Sequence, residues 1–300
     1  MRHLPPTERK ASGGFSLVEL LVSMAVLTLI VGLLAQMLNQ ATTIWNQGEG
    51  NKERMQDLRA LADFMGNELQ AALLPVNRTS KDNLEFVVNP TDVADKFKNR
   101  DCVFWQTPLA SNQDLGDVAE VGYFVKWDDT NAANPRPVLC RFFVNPGNLD
   151  SAGTAVPDPH FLIYASPNKW VTDTEIEAVA PGDNKEENNY KGLFAENVIG
   201  MWIDCLDKDG MSLSPSGQKW SSRDTTPCTL PVAIDLGLVM IDSRSAKRLN
   251  STLQQTIQSL YAKSTSAKAF VDFALETPSL RPISPGLRYY QTRIYLQNSR

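Results

Sequence analysis

Residues 13–34 read GGFSLVELLVSMAVLTLIVGLL. The apolar run from Phe15 to Leu34 is 20 residues long. As an α-helix it would measure about 30 Å, enough to cross the hydrocarbon core of a bilayer. Glu19 interrupts the run near its start. A charged residue at the centre of a membrane helix costs roughly 2.5–3.5 kcal/mol on insertion scales, and such residues usually have a function. The run therefore predicts a transmembrane helix in which Glu19 is functional.

The segment before this run carries positive charge. Residues 1–14 contain Arg2, Arg9 and Lys10 but only one acid, Glu8. Positive charge beside a membrane span keeps that end in the cytoplasm. A secretory signal peptide is cleaved at small residues after its apolar stretch, and the residues that follow Leu34 form a poor site of that kind. We therefore expect a single-pass protein with a cytoplasmic N-terminus and most of the chain outside.

The stretch Gly14-Phe15-Ser16-Leu17-Val18-Glu19 resembles the cleavage and methylation motif of type IV prepilins and pseudopilins. The resemblance implies that a membrane prepilin peptidase cuts after Gly14 on the cytoplasmic side and that the new amine of Phe15 is methylated. Glu19 would then be the fifth mature residue, placed to meet the Phe15 amine of a neighbouring subunit and to set the register between subunits. The implied partners are prepilin peptidase, other pilin-like subunits in a hetero-oligomer, and the inner membrane.

Composition argues against several other functions. The net charge is −5, and loss of residues 1–14 would make it −7, so bulk charge gives no reason to expect nucleic-acid binding. Only two histidines are present, His3 and His160, and His3 lies in the leader. A His-based catalytic pair would rest on His160 alone, and a multi-histidine metal site could not form after processing. We expect no enzymatic activity, no cofactor and no metal.

The four cysteines, Cys102, Cys140, Cys205 and Cys228, form no C-x-x-C pair. An extracytoplasmic domain permits disulfides. A Cys205–Cys228 bond is the pairing we favour, because a turn-rich stretch between two strand-like runs separates the two residues. The alternative, that two or more of the thiols are free and buried, stays open.

The rest of the chain predicts an α+β fold. Apolar residues recur at steps of three and four from Met55 to Ala72, which indicates an amphipathic helix that Pro75 would stop. Period-two patterns then predict strands at 84–88, 102–106, 121–127, 138–144, 161–165, 198–206 and 231–241, with a second amphipathic helix at 248–262 and a terminal strand at 287–297. We expect a leader at 1–14, a transmembrane helix at 15–36, its amphipathic continuation at 37–75, and an extracytoplasmic domain of antiparallel sheet, pilin-like in fold, at 76–300.

Scattered segments farther along the chain resemble one particular kind of pseudopilin. Glu68-Leu69-Gln70-Ala71-Ala72, the run at 121–123 leading to 139–141, and the strand that begins at 230–232 are similar to the J-type minor pseudopilin of type II secretion systems. A looser similarity is to the pilin-like members of the Verru_Chthon cassette proteins. The resemblance implies a minor structural subunit of a type II secretion pseudopilus or a type IV pilus-like assembly, with its domain in the periplasm or outside the cell. The alternative is a cell-surface binding module that recognises a glycan, DNA or protein.

Overall fold

The computed structural model describes residues 17–76, 84–110, 115–128, 131, 133–162, 169–179, 185–186, 189–190, 192–214, 219–223 and 229–298. The chain divides into two units, Met1–Glu53 and Arg54–Arg300. The second unit contains antiparallel sheets together with helices, so the predicted α+β class is confirmed. The bounds of the four predicted segments stay a prediction.

The first helix, α1, spans Leu17–Gln70. It ends before Pro75, and the glycines at 48 and 50 do not interrupt it. Within the second unit its predicted apolar stripe is buried at Leu58, Ala62, Met65 and Leu69. This spacing of four, three and four places the buried side chains on one face of the helix, which packs against the sheets.

A five-stranded sheet forms the first half of the second unit. Its strands, in chain order, are β1 (Phe86–Val88), β2 (Val103–Thr107), β3 (Ala119–Asp128), β4 (Arg136–Val144) and β9 (Gly192–Glu196), and they are neighbours in that order. All four pairings are antiparallel. Asp128 pairs with Arg136, so the strands predicted at 121–127 and 138–144 are antiparallel neighbours.

Short elements connect the two halves of the unit. They are the ribbon of β5 (Gly147–Leu149) and β6 (Ala155–Pro157), helix α2 (Asp173–Val179), and the ribbon of β7 (Lys185–Glu186) and β8 (Asn189–Tyr190). The predicted strand at 161–165 is wrong at residues 161 and 162, which belong to no strand; the remainder lies outside the described residues. Phe161 and Leu162 instead are partly buried against a cluster that contains Trp170 and Ile176, so their apolar character reflects packing outside a strand.

A three-stranded antiparallel sheet forms the second half. It contains β10 (Val198–Leu206), β11 (Ala233–Ile241) and, after helices α3 (Ser243–Ala246), α4 (Ser251–Tyr261) and α5 (Ala267–Glu276), the last strand β12 (Leu287–Tyr295). One face of β11, with Ile234, Leu236 and Leu238, joins the core that includes α1. The opposite face packs against α4 and α5 through Val239 and Ile241. The sheet is therefore covered by helices on both faces.

Helix α5 was not predicted from the sequence. Its N-cap is Ser266, whose hydroxyl accepts a hydrogen bond from the Ala269 amide at 3.1 Å. The helix lies so close to the sheet that a Cβ on Gly237 would come within 2.9 Å of the Ala267 Cβ. The glycine in β11 therefore sets how near α5 can approach.

Candidate assembly site

The first part of α1 is the candidate membrane-spanning segment. Leu17–Leu38 is long and apolar enough to cross a membrane, with mean hydropathy 2.6 and no residue buried. Its large apolar side chains are all exposed, from 47% at Ile30 to 80% at Leu17. A continuous apolar surface of this extent is stable only against lipid or another protein.

The hydroxyl side chains on this segment bond to the helix itself. The Ser23 hydroxyl donates to the Leu20 carbonyl at 2.9 Å, and the Thr28 hydroxyl donates to the Met24 carbonyl at 2.6 Å. Because both hydroxyls have intrahelical partners, neither opposes burial in an apolar environment. Among the residues of Leu17–Leu38, this leaves Glu19 as the one that carries a charge.

Glu19 lies on a mainly apolar helix face. It shares that face with Val22, Ser23 and Val26, which follow at the helical spacing. A carboxylate in such a setting is best stabilised by pairing with a cation. The arrangement suits recognition between helices.

The family comparison falls on this segment. Residues 9–35 match the model of the prokaryotic N-terminal methylation motif. The matched stretch contains Gly14, Phe15 and Glu19, and it indicates a type IV pilin-like or pseudopilin protein. Such a motif implies, in general, processing by prepilin peptidase, assembly with other pilin subunits and anchoring in a membrane. No curated protein matches the chain.

The predicted cleavage site, between Gly14 and Phe15, lies outside the described residues, which begin at Leu17. Cleavage after Gly14, methylation of Phe15 and the register role of Glu19 therefore stay predictions. The structure places Glu19 on the membrane-type helix, as the sequence indicates.

A buried ion pair holds the second part of α1 to the sheets. Arg141 of β4 donates from Nε and Nη2 to the two carboxylate oxygens of Glu68, at 3.2 and 2.6 Å. The Tyr123 hydroxyl of β3 donates to the same carboxylate at 2.5 Å. The side chains of Arg141 and Glu68 are only 6% and 10% exposed. Burial, followed by the negative charge of Glu68, raises the pKa of Tyr123 well above its ordinary value, which keeps the phenol a donor.

Glu68 is one of the charged residues that the amphipathic pattern assigns to the polar face of this helix, yet it is only 8% exposed, so that assignment is wrong for Glu68. The signal that could have revealed the pair is Arg141, a lone cation within the apolar strand-like run at 138–144. A buried arginine requires an anion, and a carboxylate within the amphipathic helix was available.

A second buried carboxylate ties the two sheets together. Asp101 is fully buried and precedes β2. Its Oδ2 accepts from the Ile203 amide of β10 at 2.8 Å and pairs with Lys219 Nζ at 3.0 Å. Its Oδ1 accepts from the Asn89 side chain at 2.8 Å.

A third buried carboxylate, Glu85, receives the guanidinium of Arg223 at 3.0 and 2.7 Å and the Trp170 indole N–H at 2.6 Å. Like Asp101 and Glu68, it joins segments distant in sequence. All three carboxylates are committed to structural partners, so none is poised for acid–base chemistry.

The cysteines do not support the predicted disulfide. Cys102, Cys140 and Cys205 are buried free thiols, and Cys228 lies outside the described residues. Burial raises the pKa of Cys102 and of Cys140 to about 12 and also raises that of Cys205. These thiols are therefore protonated and unreactive at neutral pH.

His160 is bound in a surface contact, with its Nδ1 at 2.9 Å from the Glu175 carboxylate. Within the described part of the chain, no three His, Cys, Asp or Glu side chains are grouped so as to hold a metal ion. The absence of metal and cofactor stays an expectation for the whole protein.

Proposed function

We propose that this protein is a minor pseudopilin-like structural subunit of a type II secretion or type IV pilus-like assembly. The observation that carries the proposal is the methylation motif at residues 9–35, which runs into a fully exposed apolar helix with one carboxylate. A subunit of this kind works by packing against its neighbours, so we propose no catalytic role. The basic leader supports a cytoplasmic N-terminus, with the helix in the inner membrane and the second unit on the other side.

Glu19 would set the axial register between neighbouring subunits. Cleavage after Gly14 would create a free amine on Phe15, just over one helical turn before the carboxylate. When subunits stack with an axial stagger, the carboxylate of one can pair with the amine of the next, and the pairing offsets part of the cost of placing both charges in lipid. A shifted register leaves both charges unpaired, so the interaction favours one stagger over the others.

The finer assignment is to a J-type minor subunit. The segment Glu68-Leu69-Gln70-Ala71-Ala72, where the amphipathic helix ends, and the strand that follows Pro231 support it. Two features argue against a main structural subunit: the length of 300 residues and the absence of a proline near Gln36. Main pilin subunits often carry a proline near that position, where it kinks the helix.

Mass spectrometry of the mature protein from its native cells tests the proposal. We expect an N-terminus at Phe15 carrying one added methyl group. A protein that retains Met1, or that is cut beyond Leu34, would refute the proposal.

Substitution in the helix tests the role of Glu19. Glu19→Val should leave membrane insertion intact but reduce co-purification with the other pilin-like subunits. Ser23→Ala, on the same face, is the matched control and should have no effect, because its hydroxyl bonds only to the helix backbone. Equal co-purification of both variants would show that Glu19 does not set the register.

A further inference from the structure

An open groove of about 540 Å³ follows the outer edge of β12 in the second unit. Its floor is five consecutive residues of the strand, 287–291, and its walls are Met55 of α1 on one side and Val271 and Leu275 of α5 on the other. Residues from both faces of a strand can line one groove only if the groove runs along the edge of that strand.

The backbone of β12 presents hydrogen-bonding groups to this edge. The Asp242 amide donates to the Gly286 carbonyl, and the Leu296 amide donates to the Val232 carbonyl. With the antiparallel register of β11 and β12, these bonds assign the even-numbered residues of β12 to the bonded pairs. The odd-numbered residues, including Tyr289 and Gln291, therefore direct their N–H and C=O groups away from β11. β12 is last in the order β10-β11-β12, so within the described residues no strand pairs with that edge.

The walls of the groove are apolar and partly open. Met55 is 40% exposed and Leu275 is 55% exposed, whereas Val271 and Leu287 are buried. An added strand directs its side chains alternately to either face. It would therefore cover Met55 with one set of side chains and Leu275 with the other.

Among the described residues that line the groove, Arg288 is the one that carries a charge. Its guanidinium donates to the carbonyls of Pro285 and Leu287, at 2.9 and 2.6 Å, which holds the positive charge at one end of the groove. Burial lowers the pKa of Arg288, the positive charge of Arg54 lowers it further, and the negative charge of Asp242 opposes the shift by a smaller amount. The groove therefore favours an occupant that carries negative charge.

Charged side chains commonly protect the exposed edges of sheets from unwanted pairing. Here the bonds of Arg288 to Pro285 and Leu287 hold it beside the groove. Arg293, farther along β12, binds Asp235 of β11 through two hydrogen bonds of 2.7 and 2.8 Å and does not line the groove. The edge at Tyr289 and Gln291 is thus left accessible.

We propose that this groove binds an extended segment of a partner protein, which adds a fourth strand to the sheet beside β12. The segment would alternate apolar residues and place a carboxylate near Arg288. Backbone hydrogen bonds provide the affinity in such strand addition, and side-chain pockets provide the specificity. The proposal deepens the proposed function in one respect: the segment would come from another subunit of the assembly.

Two synthetic peptides test the proposal on the full chain in detergent micelles. Each has nine residues of alternating valine and threonine, with a central glutamate in one and a central lysine in the other. The glutamate peptide should slow hydrogen exchange of the Tyr289 and Gln291 amides and should bind about tenfold more tightly than the lysine peptide. Binding does not depend on cleavage at Phe15, so failure of this test and failure of the proposed function can be told apart.

Three variants complete the test. Arg288→Glu should reverse the preference, so that the lysine peptide binds more tightly, a gain that misfolding could not produce. Gln291→Pro removes an edge amide without touching the bonds to β11, and it should weaken both peptides. Lys263→Glu, an exposed charge change at the end of α4, should alter nothing. Equal binding of both peptides to the wild-type chain, protection elsewhere, or pairing of two copies of the chain through β12 would overturn the proposal.

Discussion

Removal of the Glu68 carboxylate should destabilise the second unit more than any surface substitution. Glu68→Ala leaves the Arg141 guanidinium buried without its carboxylate and removes the acceptor of the Tyr123 hydroxyl. Breaking a buried ion pair by deleting one partner costs about 3–5 kcal/mol. For a unit of this size, that loss corresponds to a fall in the melting temperature of roughly 6–20 °C.

The assay is thermal unfolding of the full chain in detergent, followed by tryptophan fluorescence. The double variant Glu68→Leu with Arg141→Met should recover much of the loss, because it leaves neither charge unpaired. Asp235→Ala is the matched control: it also breaks a doubly hydrogen-bonded arginine pair, but Asp235 and Arg293 are 41% and 45% exposed. The reasoning would be refuted if Asp235→Ala and Glu68→Ala lowered the melting temperature equally, or if the double variant were no more stable than Glu68→Ala.

Three further predictions concern packing, the thiols and alkaline pH. Gly122→Ala should lower the free energy of unfolding by about 1–3 kcal/mol, measured by chemical denaturation, because the added Cβ would lie 2.1 Å from Phe104 Cδ1. Gly66→Ala is the control and should be tolerated, since its added Cβ has its nearest contact at 3.5 Å. Equal effects of the two substitutions would contradict the prediction. The three buried thiols should resist iodoacetamide at pH 8 until denaturant is added, as measured by mass spectrometry, and rapid labelling of the native protein would show that they are accessible. Burial raises the pKa of Tyr261, so this phenol loses its proton at a lower pH in the unfolded chain than in the folded one. The free energy of unfolding should therefore fall as the pH rises above about 10. In Tyr261→Phe that fall should be smaller, and an unchanged dependence of the free energy on pH would contradict the prediction.

The sequence predicted the elements whose apolar pattern has one clear period. The stripe on α1 and the alternation in β11 each bury one face, so either can be read without knowledge of the rest of the fold. Helix α5 escaped prediction although Ser266 is a suitable cap and Phe270, Val271 and Ala274 follow at helical spacing. The strand predicted at 161–165 was wrong at its first two residues because apolar residues that pack outside a strand and apolar residues of a sheet leave the same short run.

The candidate site also contains residues that the sequence can reveal and residues that it cannot. A methylation motif is a local signal, so the residues that matter for it are consecutive and visible in the sequence. The pairing of Glu68 with Arg141 joins residues 73 positions apart, and no local pattern specifies which buried anion meets which buried cation.

By itself, the order of residues determined that an apolar helix with one carboxylate follows a basic segment, because hydropathy and charge act over a single turn or a single span. Only the tertiary structure decided that β12 ends its sheet with an open edge between α1 and α5. The physical reason is that a strand's free edge depends on which strands have already paired, and that choice is made by contacts between distant parts of the chain.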